Sequence, residues 1–284
     1  MNMQSAFRRA AMLSLGLGFI LSAGSVVAQT NVIWTNSAGT NAITAVDKTT
    51  GALLKQFNPG KGNGRGMVVV GNTVYYSVAG SGNVFKLDAT TGADLGVAFT
   101  VPGATGLSTI AYDGTNFWIG DYSGTKNAYY VSPAGALLKT ISLANCSSFC
   151  DGLEYFNGKL ISNRGDTLNP ADYDVYDTNG VLLQAAFIHT THAGRGIAYD
   201  GTNFFIADAS QIYVYNGTTG AFIRSFTPGG TGQNFEDLST DYAQRVDTGG
   251  SVESKIPTLN EWALIALALM LAAFAGRTLL QRRS

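Results

Sequence analysis

Two stretches of the chain repeat one pattern: STIAYDGTNFWIGD at residues 108–121 and GIAYDGTNFFIAD at residues 196–208. In each copy an apolar run leads into Asp-Gly-Thr-Asn, and an aromatic-rich run follows. β-branched and aromatic residues favour strands, and an Asp-Gly pair supplies the positive φ angles that tight hairpin turns require. The pattern therefore predicts two antiparallel strands joined by a short turn, and it occurs twice.

These hairpins belong to a longer repeat that a second turn marks. An alternating run such as 211–215 precedes this turn, and a last strand such as 221–226 follows it. The turn closes on a glycine in five segments, and these glycines are 41, 43, 45 and 40 residues apart: Lys48–Gly51, Ala89–Gly92, Ser132–Gly135, Asp177–Gly180 and Gly217–Gly220. Four short strands in a repeat of about 40–45 residues indicate the blade of a β-propeller.

The two ends of the repeat region complement each other. The first repeat, 31–60, lacks an innermost strand, and the last segment, 235–241, looks like an innermost strand with no blade after it. Pairing them completes a blade and removes exposed sheet edges. We therefore predict an all-β fold, a five-bladed β-propeller over residues 31–242 in which N- and C-terminal strands close one blade. In loose pattern this body resembles the NHL and YVTN-type propellers of exported bacterial proteins.

The composition suits such a fold and excludes two classes of protein. The 284 residues include 35 Gly, 13 Tyr and 15 Phe, and the hydrophobic share of 45% is too high for a disordered chain. The formal net charge is −1, with no basic block, which argues against a nucleic-acid partner. Without its two ends the body carries 13 basic and 18 acidic residues, a net charge of −5.

The N-terminus has the pattern of an export signal. Arg8 and Arg9 form a positive region, residues 10–23 are apolar, and Val26-Val27-Ala28 supplies a small-residue cleavage pattern. We predict a signal peptide over residues 1–28, with a buried N-terminal helix as the alternative.

The C-terminus has the pattern of a membrane-spanning tail. Residues 262–276 carry no charge, and Arg277, Arg282 and Arg283 follow. We predict a transmembrane helix over 262–280 with the arginines in the cytoplasm, after a flexible linker over 243–255. A buried core helix is the alternative.

A short motif precedes this helix. Ile256, Pro257, Thr258, Leu259 and Trp262 match IPTLxxWG, with Ala263 in place of the usual Gly. Residues 256–284 therefore resemble the IPTL-CTERM sorting tails of Gram-negative bacteria, which combine the motif, a hydrophobic helix and a basic end. The resemblance implies cutting by an exosortase-like membrane enzyme, anchorage in the membrane before processing, and delivery to the cell surface. An ordinary membrane anchor is the alternative.

The two cysteines, Cys146 and Cys150, lie between the third and fourth repeats. In an exported protein they favour a disulfide that holds the shape of this loop. A metal or redox pair is the competing interpretation, although two thiolates fall short of a four-ligand site.

Polar residues converge on one face of the predicted propeller, because the loops before the first strands and after the second strands surround the same channel mouth. The candidates there are Asn36, Arg65, Asp121, Asp151, His189, His192, Arg195 and Asp237. A second set, Glu154, Asn163, Asp208 and Glu236, supplies the oxygen ligands that Ca²⁺ prefers. That set is similar to the carboxylate and amide metal site of gluconolactonase-like propellers.

Structural roles compete with each of these interpretations. Asp and Asn at strand ends commonly accept hydrogen bonds from their own turn, and the acidic residues can pair with Arg65, Arg164 and Arg195. Two imidazoles in His189-x-x-His192 seldom hold zinc without a third ligand.

Two functions follow from the sequence. The first is a surface-displayed propeller without enzymatic activity that binds a protein or glycan through its rim or mouth. The second is a metal-dependent hydrolase or lactonase that uses the mouth carboxylates. No GxSxG, HExxH, P-loop or dinucleotide-binding glycine pattern occurs, which favours the first.

Overall fold

A computed structural model describes residues 31–230 and 234–243, which form five four-stranded antiparallel sheets. From the inner to the outer strand, blade 1 consists of β20 (Phe235–Ser239), β1 (Val32–Ser37), β2 (Ile43–Asp47) and β3 (Leu53–Phe57). Blade 2 consists of β4 (Gly64–Val70), β5 (Thr73–Val78), β6 (Asn83–Asp88) and β7 (Asp94–Thr100), and blade 3 of β8 (Leu107–Tyr112), β9 (Phe117–Asp121), β10 (Asn127–Val131) and β11 (Leu137–Ser142). Blade 4 consists of β12 (Leu153–Phe156), β13 (Lys159–Leu168), β14 (Ala171–Tyr176) and β15 (Leu182–His189), and blade 5 of β16 (Ile197–Tyr199), β17 (Asn203–Asp208), β18 (Gln211–Asn216) and β19 (Phe222–Phe226).

The repeated turn between the third and fourth strands forms for a local reason. In blade 1 the Asp47 carboxylate accepts the backbone N–H groups of Thr49 and Thr50 at 2.9 and 2.7 Å. Gly51 then adopts a φ of 76°, which glycine reaches without steric cost. Asp88 and Asn216 act in the same way in blades 2 and 5. The evenly spaced glycines of the sequence are therefore the turn positions that set the length of each blade.

The predicted closure of the ring is confirmed. β20 pairs with β1 in antiparallel register, with Trp34 opposite Ser239. The inner strands contact one another in the cyclic order β20, β4, β8, β12, β16 and back to β20. The predicted all-β, five-bladed propeller is therefore the observed fold.

Side chains of the closing strand also hold the neighbouring blade. Every second side chain from Asp237 onward accepts a hydrogen bond from a backbone N–H of blade 2. Asp237 accepts from Met67 (3.0 Å), Ser239 from Val69 (2.9 Å) and Asp241 from Gly71 (2.8 Å). These bonds attach β20 to blade 2, in addition to its pairing with β1 in blade 1.

The predicted signal peptide (1–28), most of the linker and the sorting tail with its helix (256–284) lie outside the described residues. Within 31–230 and 234–243 we find no helical segment with the length and hydrophobicity that a bilayer crossing requires.

Candidate functional site

Three of the predicted mouth residues stand directly before a glycine where an inner strand starts: Arg65, Asp151 and Arg195. The glycines permit close backbone packing around the channel. A Cβ on Gly196 would lie 2.3 Å from the Cα of Asp237, and one on Gly152 would lie 2.2 Å from the carbonyl oxygen of Arg195. No side chain fits at either position, so the inner strands approach closely and the preceding polar residues surround the mouth.

Arg65, Asp151, Arg195 and Glu236 form what we call the channel-mouth cluster. The Glu236 side chain is only 2% exposed and pairs with two guanidinium groups. Arg65 Nη1 lies 3.0 Å from Oε2, and Arg195 Nη1 contacts Oε1. The arginines themselves reach solvent, with 15% of the Arg65 side chain and 33% of the Arg195 side chain exposed. One buried carboxylate thus holds two partly accessible cations at the mouth.

Asp151 is the unusual acid of this cluster. Burial and the negative charge of Glu236 raise its pKa to about 7, against the opposing effect of Arg195 and Arg65. Its backbone N–H donates to Asn163 Oδ1 at 3.0 Å. The disulfide between Cys146 and Cys150, whose Cα atoms are 5.4 Å apart, fixes the loop that leads into Asp151. A buried carboxyl with a pKa near neutrality is typical of a functional position.

Two tyrosines support the cluster, and neither is among the residues predicted from the sequence. The Arg65 guanidinium lies 4.5 Å from the ring centre of Tyr122, which in turn contacts Phe149 at 4.8 Å. The Tyr173 hydroxyl donates to the carbonyl oxygen of Arg195 at 2.6 Å. The one available signal in the sequence is that Tyr122 follows Asp121 at the end of a second strand.

Two further mouth candidates, Asn36 and Asp237, are occupied by hydrogen bonds within blade 1 and to blades 2 and 3. Asn36 Oδ1 accepts the N–H of Asp237 at 3.1 Å, and its Nδ2 donates to the carbonyl of Gly66 at 3.3 Å. Besides Met67, Asp237 accepts hydrogen bonds from Thr109 Oγ1 (2.9 Å) and the Ile110 N–H (3.2 Å). Burial raises the pKa of Asp237 well above its usual value, while these hydrogen bonds oppose the rise. Both residues hold blades together.

Asp121 has the local turn role that competes with ligand binding, whereas Asn163 bonds to the backbone of loops distant in sequence. The Asp121 carboxylate accepts hydrogen bonds from the backbone and hydroxyl of Ser123 and from Tyr129. Burial raises the pKa of Asp121, but these bonds outweigh it and the net shift is downward. Asn163 Oδ1 accepts the Asp151 N–H, and its Nδ2 faces the carbonyl of Gly194 at 3.4 Å.

The residues chosen as calcium ligands do not come together as one set. Glu154 accepts the N–H of Tyr199, the last residue of β16, and contacts the Tyr242 hydroxyl, whereas Glu236 pairs with the arginines at the mouth. Glu154 lies within the inner strand β12, whereas Asp151 precedes that strand. In the described ranges no three His, Cys, Asp or Glu side chains form a group that could hold a metal ion.

His189 and His192 make their contacts apart from the channel-mouth cluster. Both histidines line a separate pocket with residues of the outer strands β18 and β19. His192 Nδ1 donates to the Ala193 carbonyl and its Nε2 accepts from the Tyr215 hydroxyl at 2.7 Å, so neither nitrogen is free for zinc. Although the sequence groups both histidines with the mouth residues, His192 packs against Tyr213 of blade 5. Asp208 is the last residue of β17, and its charge opposes the lowering of the His192 pKa by burial.

Comparison with known proteins identifies the tail and the fold. Residues 256–283 match the IPTL-CTERM motif. A chain of the nidogen/laminin complex has a similar structure, with 11% identity, a TM-score of 0.53 and coverage of 75% of this chain and 99% of that one. A computationally designed protein, Ika8, has 14% identity and a TM-score of 0.42, covering 73% of this chain and 87% of its own. Glutaminyl cyclase of Myxococcus xanthus has 14% identity and a TM-score of 0.46, covering 74% and 75%. No curated protein matches the chain.

At such identities the structural likeness shows the fold alone, and the motif indicates where the protein is sent in the cell. IPTL-CTERM is the C-terminal sorting tail of exported, surface-sorted proteins. The chain is therefore a five-bladed β-propeller that carries the IPTL-CTERM sorting motif at its C-terminus.

Proposed function

We propose that this protein is a binding module displayed on the cell envelope, and that its channel mouth takes a carboxylate group of a surface protein or glycan. The observation that carries the proposal is the channel-mouth cluster, in which Arg65 and Arg195 share the single carboxylate of Glu236. Arginine matches carboxylates with paired N–H donors, and each guanidinium has more donors than one shared carboxylate uses.

The charge of the cluster supports an anionic ligand. With Glu236 ionised and Asp151 neutral, two arginines leave a net charge of +1 at the mouth of a body whose own net charge is −5. Because the pKa of Asp151 is about 7, this surplus decreases as the pH rises through neutrality. The Nε–H of Arg65 is also buried without an acceptor among the described residues. The site therefore favours anions, most strongly on the acidic side of pH 7.

The tail determines where this binding takes place. The IPTL-CTERM motif supports processing by an exosortase-like enzyme, with the C-terminal helix in the membrane beforehand. The propeller then faces outward from a Gram-negative cell, where carboxylate-bearing proteins and glycans are accessible.

The alternative of a calcium-dependent hydrolase has less support. The two arginines on Glu236 would repel a cation there, and Glu154 faces other partners. No specific observation favours a metal-activated water at this mouth.

The proposal is tested by titrating the full chain, purified in detergent, with glutarate and with its neutral diamide, glutaramide. We expect glutarate alone to bind, more tightly at pH 6 than at pH 8. Arg195→Gln should weaken binding at least about tenfold, since a hydrogen bond to a charged group contributes about 1.5–3 kcal/mol. The control is Arg224→Gln, because Arg224 lies on the outer strand β19 and binds the backbone of Lys48 and Thr49. Equal binding of both probes, or equal losses in both variants, would contradict the proposal.

A further inference from the structure

A second candidate site lies in the crevice between blades 4 and 5, far out from the channel. It is a pocket of about 210 Å³ that combines ring side chains with polar groups. We call it the histidine pocket, and its lining residues are His189, Thr191, His192, Tyr213, Tyr215 and Phe222.

Ring side chains make up one side of the histidine pocket. His192 stacks on Tyr213 with ring centres 3.4 Å apart and planes 14° from parallel. Tyr215 meets Phe222 edge-on at 5.7 Å. Phe222 is nevertheless 56% exposed, so much of this ring is available to a ligand. An exposed aromatic ring beside polar groups offers a stacking surface with hydrogen-bonding groups at its edge.

The lining carries little net charge of its own. The Ala193 carbonyl can only accept, so His192 Nδ1 carries a proton, and the Tyr215 hydroxyl donates to Nε2. Burial lowers the pKa of His192, which keeps this ring neutral at pH 7. His189 is exposed, and its Nδ1 lies 2.7 Å from Asp172 Oδ1. Within the described residues no hydrogen bond engages its second ring nitrogen.

The pocket is not a product of the blade repeat. The only two histidines of the chain both line it. Counted from the turn glycine of each blade, the position of Phe222 is occupied elsewhere by Leu53, Leu137, Leu182 or Asp94. A scaffold role would serve equally well in each blade, whereas this combination occurs in one. These departures from the repeat therefore indicate a function that belongs to blade 5.

We propose that the histidine pocket binds a neutral sugar unit of a glycan, with a pyranose ring against Phe222 and sugar hydroxyls on His189 and Thr191. A pyranose presents a C–H face that packs on an aromatic ring and an edge of hydroxyls that donate and accept. A lining without Lys, Arg, Asp or Glu does not select for a charged ligand. This site is separate from the channel mouth, and either can exist without the other.

To test the proposal, the full chain in detergent is titrated with four neutral tetrasaccharides, and binding is monitored by saturation-transfer NMR. The tetrasaccharides are maltotetraose, cellotetraose, laminaritetraose and N-acetylated chitotetraose. We expect at least one to bind, with contact signals strongest on ring C–H protons. Phe222→Ala should weaken binding about two- to tenfold, because it removes the exposed ring against which the sugar packs. Ile223→Ala is the matched control, because Ile223 is the next residue on β19, is 48% exposed and does not line the pocket.

Three outcomes would overturn the proposal: no tetrasaccharide binds, both variants lose affinity equally, or choline chloride binds at Phe222 in place of the sugars. The last result would identify the rings as a cage for a quaternary ammonium group. Arg195→Gln should leave sugar binding unchanged, and Phe222→Ala should leave glutarate binding unchanged. The failure of one site is therefore distinguishable from the failure of the other.

Discussion

Replacing Asp151 with Asn should make the propeller more stable at alkaline pH. Burial and Glu236 raise the pKa of Asp151 from 3.8 to about 7, so the folded protein holds this proton more tightly than the unfolded chain. A raised folded-state pKa contributes stability that is complete below about pH 4 and is lost as the pH rises through 7. A pKa shift of about three units, at about 1.4 kcal/mol per unit, contributes about 4 kcal/mol to the free energy of unfolding. About 3 kcal/mol of this contribution is lost between pH 5 and pH 8.

The assay is urea unfolding of the detergent-solubilised full chain, followed by tryptophan fluorescence at pH 5 and pH 8. Asp151→Asn mimics the neutral acid. Between pH 5 and pH 8 we therefore expect its free energy of unfolding to fall by about 3 kcal/mol less than that of the natural protein. Other carboxyl groups cancel in this comparison, since both proteins contain them. Asp121→Asn is the control without a pH effect, because the pKa of Asp121 is lowered in the fold and its carboxyl is ionised in the folded and the unfolded state alike from pH 5 to pH 8. A difference below about 0.5 kcal/mol would refute the claim that Asp151 is buried against Glu236.

Three further predictions concern the ring, the cluster and the tail. Asp237→Ala removes an acceptor of four hydrogen bonds and should lower the free energy of unfolding in urea by at least about 3 kcal/mol. Ser239→Ala leaves one backbone N–H without its acceptor and should lower it by about 1–2 kcal/mol. Equal losses in the two variants would contradict the closure by β20. Arg195→Gln removes a positive charge that lowers the pKa of Asp151. Carboxyl carbon NMR should therefore show the pKa of Asp151 moving upward, and a downward shift would contradict this electrostatic effect. Deletion of residues 256–284 should release the propeller into the medium, and unchanged surface retention in cell fractionation would contradict a sorting role for the tail.

The fold could be predicted from sequence because its determinants are local and repeated. Each turn glycine with its preceding Asp or Asn acts within a few residues, so the spacing of the turns counts the blades. The closure followed from counting strands, since one end lacked an inner strand and the other had one left over. What the sequence could not provide is the alternate bonding of Asp237, Ser239 and Asp241 to blade 2, which depends on the strand register.

The residues of the candidate site could be predicted only where the backbone alone fixes the position of the side chain. Arg65, Asp151 and Arg195 stand directly before inner-strand glycines, and that position alone brings them to the mouth. Glu154 follows Asp151 closely in the sequence, but it lies within β12 and its carboxylate accepts the N–H of Tyr199 in blade 5. The position of His192 cannot be read from the sequence, because its ring packs against Tyr213, which lies in another blade.

The most direct test of the proposed function is a structure of the protein with glutarate bound. We predict a ligand carboxylate within hydrogen-bonding distance of the guanidinium groups of both Arg65 and Arg195, at the mouth and above Glu236. Glutarate located elsewhere, with the two arginines still paired to Glu236 alone, would contradict the assignment of the channel mouth as the binding site.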